Sequence, residues 1–485
     1  MIIMPKLLLF LLGRTALLAG CGFLLPLVAA LIERSPLTMV FAMAALFSLA
    51  LGILLCALCH QHRSRLSIRE GAAFLLLAWL ELTGLGMLPY LASGELPLLD
   101  AFFESVSSLT TTGISCLRPD APHLLVLWRS VSQWLGGLNI LVLLTTVLPQ
   151  VSGCFGISFA VQKSIHSGQL MISRMERTAF TVVRIYAVLT IIGCLLYACG
   201  GLSLFDAVNL SMVTLSTGGC YVPSSGGLTL NGWLIAAILF GMLVSSGNFL
   251  LYWQSITQRK IRHILLDTEL RAFLLLILGA GAFVAWHLWR LGVYGPVDSL
   301  LYGFFHVVSF AGTTGLFADR IADWPDFDKF VLFLLPFVGG CIGSLAGGFK
   351  MLRFIILGKT ALTEMRRTLH PHMVVHIGVD GSTVPQKIIG RILSFFFLYF
   401  IAFFTAVLVI SLSGVSELES MNIAAGCLTS TGQLALLDGS PMTILGLSNA
   451  AKLFCCFLMI LGKLEIFSFL IVLQAGYLQL QRGRW

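Results

Sequence analysis

Thr110-Thr111-Thr112-Gly113 is a short polar stretch in an otherwise strongly apolar chain. It returns three times with small changes, as Leu215-Ser216-Thr217-Gly218, Gly312-Thr313-Thr314-Gly315 and Thr429-Ser430-Thr431-Gly432. The glycines stand at 113, 218, 315 and 432, so successive steps are 105, 97 and 117 residues. A period this long and uneven means that each recurrence belongs to a unit of several helices, not to a short stacked repeat.

The surroundings of these stretches set the fold class. Hydrophobic residues make up 58% of the 485, charged residues 11%, and the mean hydropathy is +0.95. A water-soluble globular domain does not carry that balance. The apolar runs approach the roughly 20 residues that cross a bilayer as helix and exceed the roughly 10 of a barrel strand. The reading is an all-α integral membrane protein. Twelve cysteines are mostly scattered singly in apolar runs, only Cys455-Cys456 being adjacent. They read as small buried residues, with no CxxC pair for metal or redox chemistry. The run from Leu7 to Ile32 is long and lacks a small-residue cleavage site, so it reads as a retained span.

Charge placement orients the chain. Most of the 30 Lys+Arg fall in segments around 6–14, 63–69, 163–184, 259–271, 350–391 and 482–484. The positive-inside bias puts these segments in the cytoplasm and the four polar stretches on the far side. That bias accounts for the net charge of +8, and no nucleic-acid partner is expected.

Two leading spans, about 7–32 and 37–60, form an accessory hairpin over residues 1–65. Four units follow, at about 66–150, 151–258, 259–385 and 386–485. Each contains a long helix, a short helix ending in the Thr/Ser-Gly stretch, a polar loop and a second long helix. The second long helices are placed at about 123–149, 230–254, 327–357 and 444–480. The sum is ten transmembrane spans. The short helices cannot cross the bilayer, so each must enter and leave by one face, which backbone tolerates only when it lines a watery cavity or is packed in protein. Asp100, Asp206, Asp298 and Glu417 open these short helices and suit a helix N-terminus. The negative C-terminal ends then face the stretches and favour a cation.

A dehydrated alkali cation needs several oxygens at a set field strength, which backbone carbonyls supply where glycine permits close approach. At this point the chain resembles the Trk/Ktr/HKT superfamily of potassium transporters, and within it the bacterial Trk-type membrane subunit. Matching residues include Phe103-Glu104-Ser105-Val106-Ser107, Trp128-Arg129-Ser130, Gln133-Trp134-Leu135-Gly136-Gly137, Phe205-Asp206-Ala207, Gly339-Gly340-Cys341-Ile342-Gly343-Ser344, Gly347-Gly348-Phe349-Lys350 and Leu461-Gly462-Lys463-Leu464-Glu465-Ile466-Phe467. The resemblance implies K⁺ uptake across a bacterial inner membrane. It places coordination at Thr111-Thr112, Ser216-Thr217, Thr313-Thr314 and Ser430-Thr431, shaped by Gly113, Gly218, Gly315 and Gly432. A glycine at 113 goes with K⁺ rather than Na⁺. The resemblance also implies a homodimer in lipid and a cytosolic nucleotide-binding regulatory partner.

Gly339, Gly340, Gly343, Gly347 and Gly348 interrupt a long apolar stretch at a cost of about 1 kcal/mol each in a helix, so a straight helix is not expected there. The resemblance makes 339–350 a gate loop ending at Lys350. Lys463 stands where relatives usually carry arginine, and a charge within a span is a functional candidate. Glu81 is a second such charge, which needs a partner or a proton. It leaves open the alternative of a secondary symporter coupling K⁺ to H⁺ or Na⁺. No nucleophile triad, phosphate-cradling loop or dinucleotide fingerprint is present, and no enzymatic activity is expected.

Overall fold

The computed structural model describes residues 6–59, 68–118, 120–142, 175–221, 230–258, 264, 266–370, 376–380, 382–434, 444 and 446–464. Most of these residues are helical. The leading hairpin is α1 (Lys6–Gly22), α2 (Leu24–Ile32) and α3 (Leu37–Leu58), α1 and α2 together forming one apolar element. It is anchored at its outer end by Phe23, whose ring stacks on Trp128 at 4.1 Å. Glu33 meets His123 at 2.6 Å nearby.

Next come α4 (Ile68–Gly86), α5 (Leu88–Ala92), α6 (Leu98–Leu109) and α7 (His123–Val142). They are followed by α8 (Met175–Cys199), α9 (Leu204–Ser216), α10 (Gly232–Ser246) and α11 (Phe249–Gln258). The third group is α12 (Thr268–Arg290), α13 (Pro296–Ala311), α14 (Asp326–Val338) and α15 (Met351–Leu369). A two-stranded antiparallel ribbon, β1 (Gly378–Val379) and β2 (Ser382–Thr383), leads into α16 (Gln386–Ser411), α17 (Glu417–Thr429) and α18 (Asn449–Leu464). Among the described residues no disulfide forms.

Among the described residues five elements are long and apolar enough to cross a membrane: Lys6–Ile32, Leu37–Leu58, Phe180–Cys199, Thr268–Arg290 and Gln386–Ser411. Their outward faces carry exposed apolar side chains such as Phe47, Ile53, Ile191, Leu275, Phe397 and Leu408. A stripe of that kind has no place in water and suits lipid.

The inward faces pack around α6, α9, α13 and α17, which are buried over most of their length. Each carries its acidic residue in the first turn, at Asp100, Asp206, Asp298 and Glu417. Two of them are also capped by a serine that accepts from a first-turn N–H, Ser203 from Asp206 and Ser416 from Glu419.

Two of the expected second long helices are broken. The helix expected over 230–254 turns by 90° between α10 and α11. The sequence shows only Gly247 at this point, but the cause is tertiary. The ends freed by the turn are taken up by the glycine-rich loop: Cys341 N donates to Ser246 O at 3.0 Å, Leu345 N to Ser245 O at 3.4 Å, and Phe249 N to Gly343 O at 3.1 Å. Backbone groups that lose helix partners inside an apolar protein must find others. The helix expected over 327–357 divides into α14 and α15, and 339–350 is irregular, as its glycines foretell. Residues 143–149 and 465–480 lie outside the described residues.

Candidate functional site

The four polar stretches share one backbone geometry. In each, a residue one or two places beyond the short helix enters the left-handed region: Thr111 (φ 53°), Thr217 (φ 57°), Thr313 (φ 52°) and Ser430 (φ 54°). Two residues further on comes a glycine with φ positive: Gly113 (82°), Gly219 (66°), Gly315 (72°) and Gly432 (81°). In the second stretch the glycine in this conformation is therefore Gly219. Gly218, the expected counterpart of Gly113, sits one place earlier, where the others carry Thr112, Thr314 and Thr431. Two consecutive glycines, Gly218-Gly219, hid that register in the sequence.

The residue between the two is tied back to its helix in all four. Thr112 N donates to Ser107 O at 2.9 Å, Gly218 N to Val213 O at 2.9 Å, Thr314 N to Ser309 O at 2.7 Å and Thr431 N to Gly426 O at 3.1 Å. The carbonyls of the same four residues form a closed ring with the glycines. A Cβ added to Gly113 would overlap Gly218 O, one on Gly219 would overlap Thr314 O, one on Gly315 Thr431 O, and one on Gly432 Thr112 O. Only glycine fits at these points, for conformation and for space. Outside the ring lies a cavity of about 210 Å³ touched by Gly113, Gly219, Gly315, Thr431, Tyr221 and Gln433.

On the other side the ring rests on the loop 339–350. Thr217 Oγ1 donates to Leu345 O at 3.2 Å, and Thr313 Oγ1 accepts from Gly347 N at 2.6 Å. Lys463 Nζ, from α18, donates to Thr111 Oγ1 at 2.5 Å and to Leu345 O at 2.9 Å. Three of the four left-handed residues thus hold the loop or the lysine through their hydroxyls, while Ser430 Oγ is buried without a partner. Lys350 Nζ turns back onto Ala346 O and Ser344 Oγ within the loop.

Gly347 fits only as glycine, since a Cβ would overlap Thr429 O. Glu269, on α12, accepts from Ile342 N at 2.7 Å and Leu352 N at 3.1 Å, so one buried carboxylate pins both halves of the loop. No motif pointed to it.

A further shell stiffens the outer wall. Glu104, fully buried, accepts from Cys116 N at 2.7 Å and Ser115 Oγ at 3.0 Å, with Arg129 at 3.7 Å. In the third stretch His306 Nε2 accepts from Ala318 N at 3.4 Å, while its Nδ1 faces Tyr302 O at 2.8 Å. Glu104 precedes Thr111, and His306 precedes Thr313, by the same seven residues, and each grips the backbone three residues beyond its glycine. That offset was readable in the sequence once the left-handed residues were known.

Glu81 is not brought to the ring. Its carboxylate accepts from Thr15 Oγ1 at 2.6 Å, linking α4 to α1 of the leading hairpin. Lys463 meets Thr111 and Leu345, Glu81 is engaged by Thr15, and Glu465 lies outside the described residues.

The ring offers neutral oxygens only, and among the described residues no cluster of three or more His, Cys, Asp or Glu side chains could hold a metal. Neutral carbonyl and hydroxyl oxygens suit a weakly hydrated monovalent cation better than a transition metal.

Fold and site together define a helical membrane protein built around a closed ring of four glycine-bearing backbone segments. The family described as "TrkH: Cation transport protein" matches residues 37–476, and the chain belongs to it. It is 31% identical over 475 residues to the Trk system potassium uptake protein TrkG of Escherichia coli K12, covering 94% of this chain and 97% of that one. It is 30% identical to the Trk system potassium uptake protein TrkH of Salmonella typhimurium, over 95% and 96% of the two chains. The crystal structure of the potassium transporter TrkH from Vibrio parahaemolyticus superposes with a TM-score of 0.85 at 27% identity, covering 96% of this chain and 98% of that chain. These relatives are named as transport proteins, not enzymes.

Proposed function

We propose that the chain admits K⁺ into the cell across a bacterial inner membrane through a four-part selectivity filter gated from the cytoplasmic side. The observation that carries this is the closed ring of the Thr112, Gly218, Thr314 and Thr431 carbonyls, resting on the 339–350 loop and Lys463. Thr111, Thr112, Ser216, Thr217, Gly218, Thr313, Thr314, Ser430 and Thr431 are its ion-facing oxygens and immediate supports. Gly113, Gly315 and Gly432, with Gly219, give it its shape.

Oxygens fixed by the fold replace the hydration shell of the ion. The left-handed residues fix them by turning the backbone after each short helix. The C-terminal ends of α6, α9, α13 and α17 add negative dipole potential on the same side. Below the ring, Gly339, Gly340, Gly343, Gly347 and Gly348 let the loop lie flat against it as the gate. Lys350 ties the loop to itself, and Lys463 holds it against the ring and puts a positive charge on the exit path.

Ten spans, read from the apolar runs and charge placement, complete the reading, with a homodimer and a cytosolic nucleotide-binding regulatory subunit docking on the basic inner loops as the family resemblance implies. Expression in cells lacking K⁺ uptake tests it. The chain restores growth at low external K⁺, and Gly113→Ser, which crowds the ring, lowers the preference for K⁺ over Na⁺. Unchanged selectivity in that variant would sink the assignment of the filter.

A further inference from the structure

We propose that Gln133 is a specificity-determining residue that makes one of the four ring oxygens a weaker cation ligand than the other three; the inference rests on the filter reading above. The starting observation is the odd member of the ring. Thr112, Thr314 and Thr431 occupy three of the equivalent positions, and Gly218 the fourth. The room a threonine would need beside Gly218 is filled from α7. A Cβ on Gly218 would lie 2.6 Å from Gln133 Cδ, 2.7 Å from its Oε1 and 3.0 Å from its Nε2. Glycine at 218 and glutamine at 133 are therefore one packing solution: Gln133 excludes the threonine found at the other three positions, and glycine leaves room for Gln133.

Gln133 has no exposed surface, and its Nε2 donates to Gly218 O at 3.1 Å. The same carbonyl accepts from Cys220 N at 2.8 Å. A carbonyl oxygen has two lone pairs, and here both are engaged. Among the described residues nothing donates to the carbonyls of Thr112, Thr314 or Thr431. The amide cannot be turned over, because Oε1 would then face another acceptor. As it stands, Oε1 is buried without a donor, a cost accepted so that the nitrogen meets Gly218 O.

A carbonyl already accepting two hydrogen bonds presents less negative potential to an ion. Ring field strength is one of the quantities that separates K⁺ from Na⁺, since the smaller ion needs the stronger field to offset its greater dehydration cost. A ring of three free carbonyls and one saturated one is shifted toward the larger ion.

The test uses the full-length chain in proteoliposomes, comparing ⁸⁶Rb⁺ with ²²Na⁺ uptake. Gln133→Met keeps the bulk and removes the donor, and the Rb⁺/Na⁺ ratio is expected to fall about threefold or more, the scale of one hydrogen bond. The double variant Gln133→Ala with Gly218→Thr refills the space without restoring the amide N–H that reaches the carbonyl of residue 218, and its ratio is expected to stay low. A ratio within about 1.5-fold of the parent in Gln133→Met, or its restoration in the double variant, overturns the proposal in favour of packing alone. If Gln133→Met fails to enter the membrane, the double variant decides by the same criterion. A parent chain that passes both ions equally overturns the filter reading itself, and the role of Gln133 with it.

Discussion

Replacing Lys463 by methionine removes a side chain that reaches from α18 to both the ring and the loop. Its Nζ lies 2.5 Å from Thr111 Oγ1 and 2.9 Å from Leu345 O. Hydrogen bonds from a charged donor contribute about 1.5–3 kcal/mol each, so the two together hold the loop by about 3 kcal/mol at the low end. At 1.4 kcal/mol per factor of ten, their loss moves the equilibrium between seated and displaced loop about a hundredfold toward displacement. On the proposed gating reading, loss of a positive charge beside the exit path acts in the same direction on cation flux.

⁸⁶Rb⁺ uptake into proteoliposomes, without any regulatory subunit and normalised to reconstituted protein, is therefore expected to rise by about tenfold or more in Lys463→Met, capped by the fraction already open. Thr111→Val removes one of the two bonds and should give a smaller rise. Lys463→Arg keeps charge and donors and should stay within about threefold of the parent. Uptake that is unchanged or lower in Lys463→Met, with the protein folded and reconstituted, refutes the account of the lysine as a latch.

Two further predictions address charges outside the ring. Lys452 and Asp100 pair at 2.6 Å with little exposure, tying α18 to the first turn of α6. Lys452→Met leaves a carboxylate without its partner and should cost about 3–5 kcal/mol, read as a lower thermal midpoint of the purified protein, with much of it recovered when Asp100→Leu is added. If the single variant melts like the parent, the pair is not holding the two helices together. Glu81→Gln keeps an acceptor for Thr15 and should leave K⁺ flux independent of an imposed proton gradient, as in the parent. A parent flux that follows the proton gradient, with that dependence lost in Glu81→Gln, would establish the symport alternative in place of a channel-like path.

The positions of α6, α9, α13 and α17 were legible because each is a short apolar run closed by a polar glycine stretch, with an acid in its first turn. The break at 339–350 was legible for a similar local reason, since five glycines cannot sustain a helix. The 90° turn between α10 and α11 was not, because its cause is the docking of the loop onto Ser245, Ser246 and Phe249. Glu104, Arg129 and Gln133 stood in recognisable stretches, yet their partners lie 11 to 91 residues away in sequence. Spacing alone cannot register such pairs.

By itself the sequence determined the membrane class, the four recurring stretches and a preference for a cation, since these follow from composition, local dihedral preference and helix polarity. Only the tertiary structure decided that Gly219, not Gly218, takes the left-handed glycine position, and that Gln133 occupies the space this leaves. It also decided that Lys463 meets Thr111 and Leu345 while Glu81 meets Thr15. A buried polar group must be satisfied by whatever the packed chain brings within about 3 Å, and that neighbour is set by how the helices close around the ring.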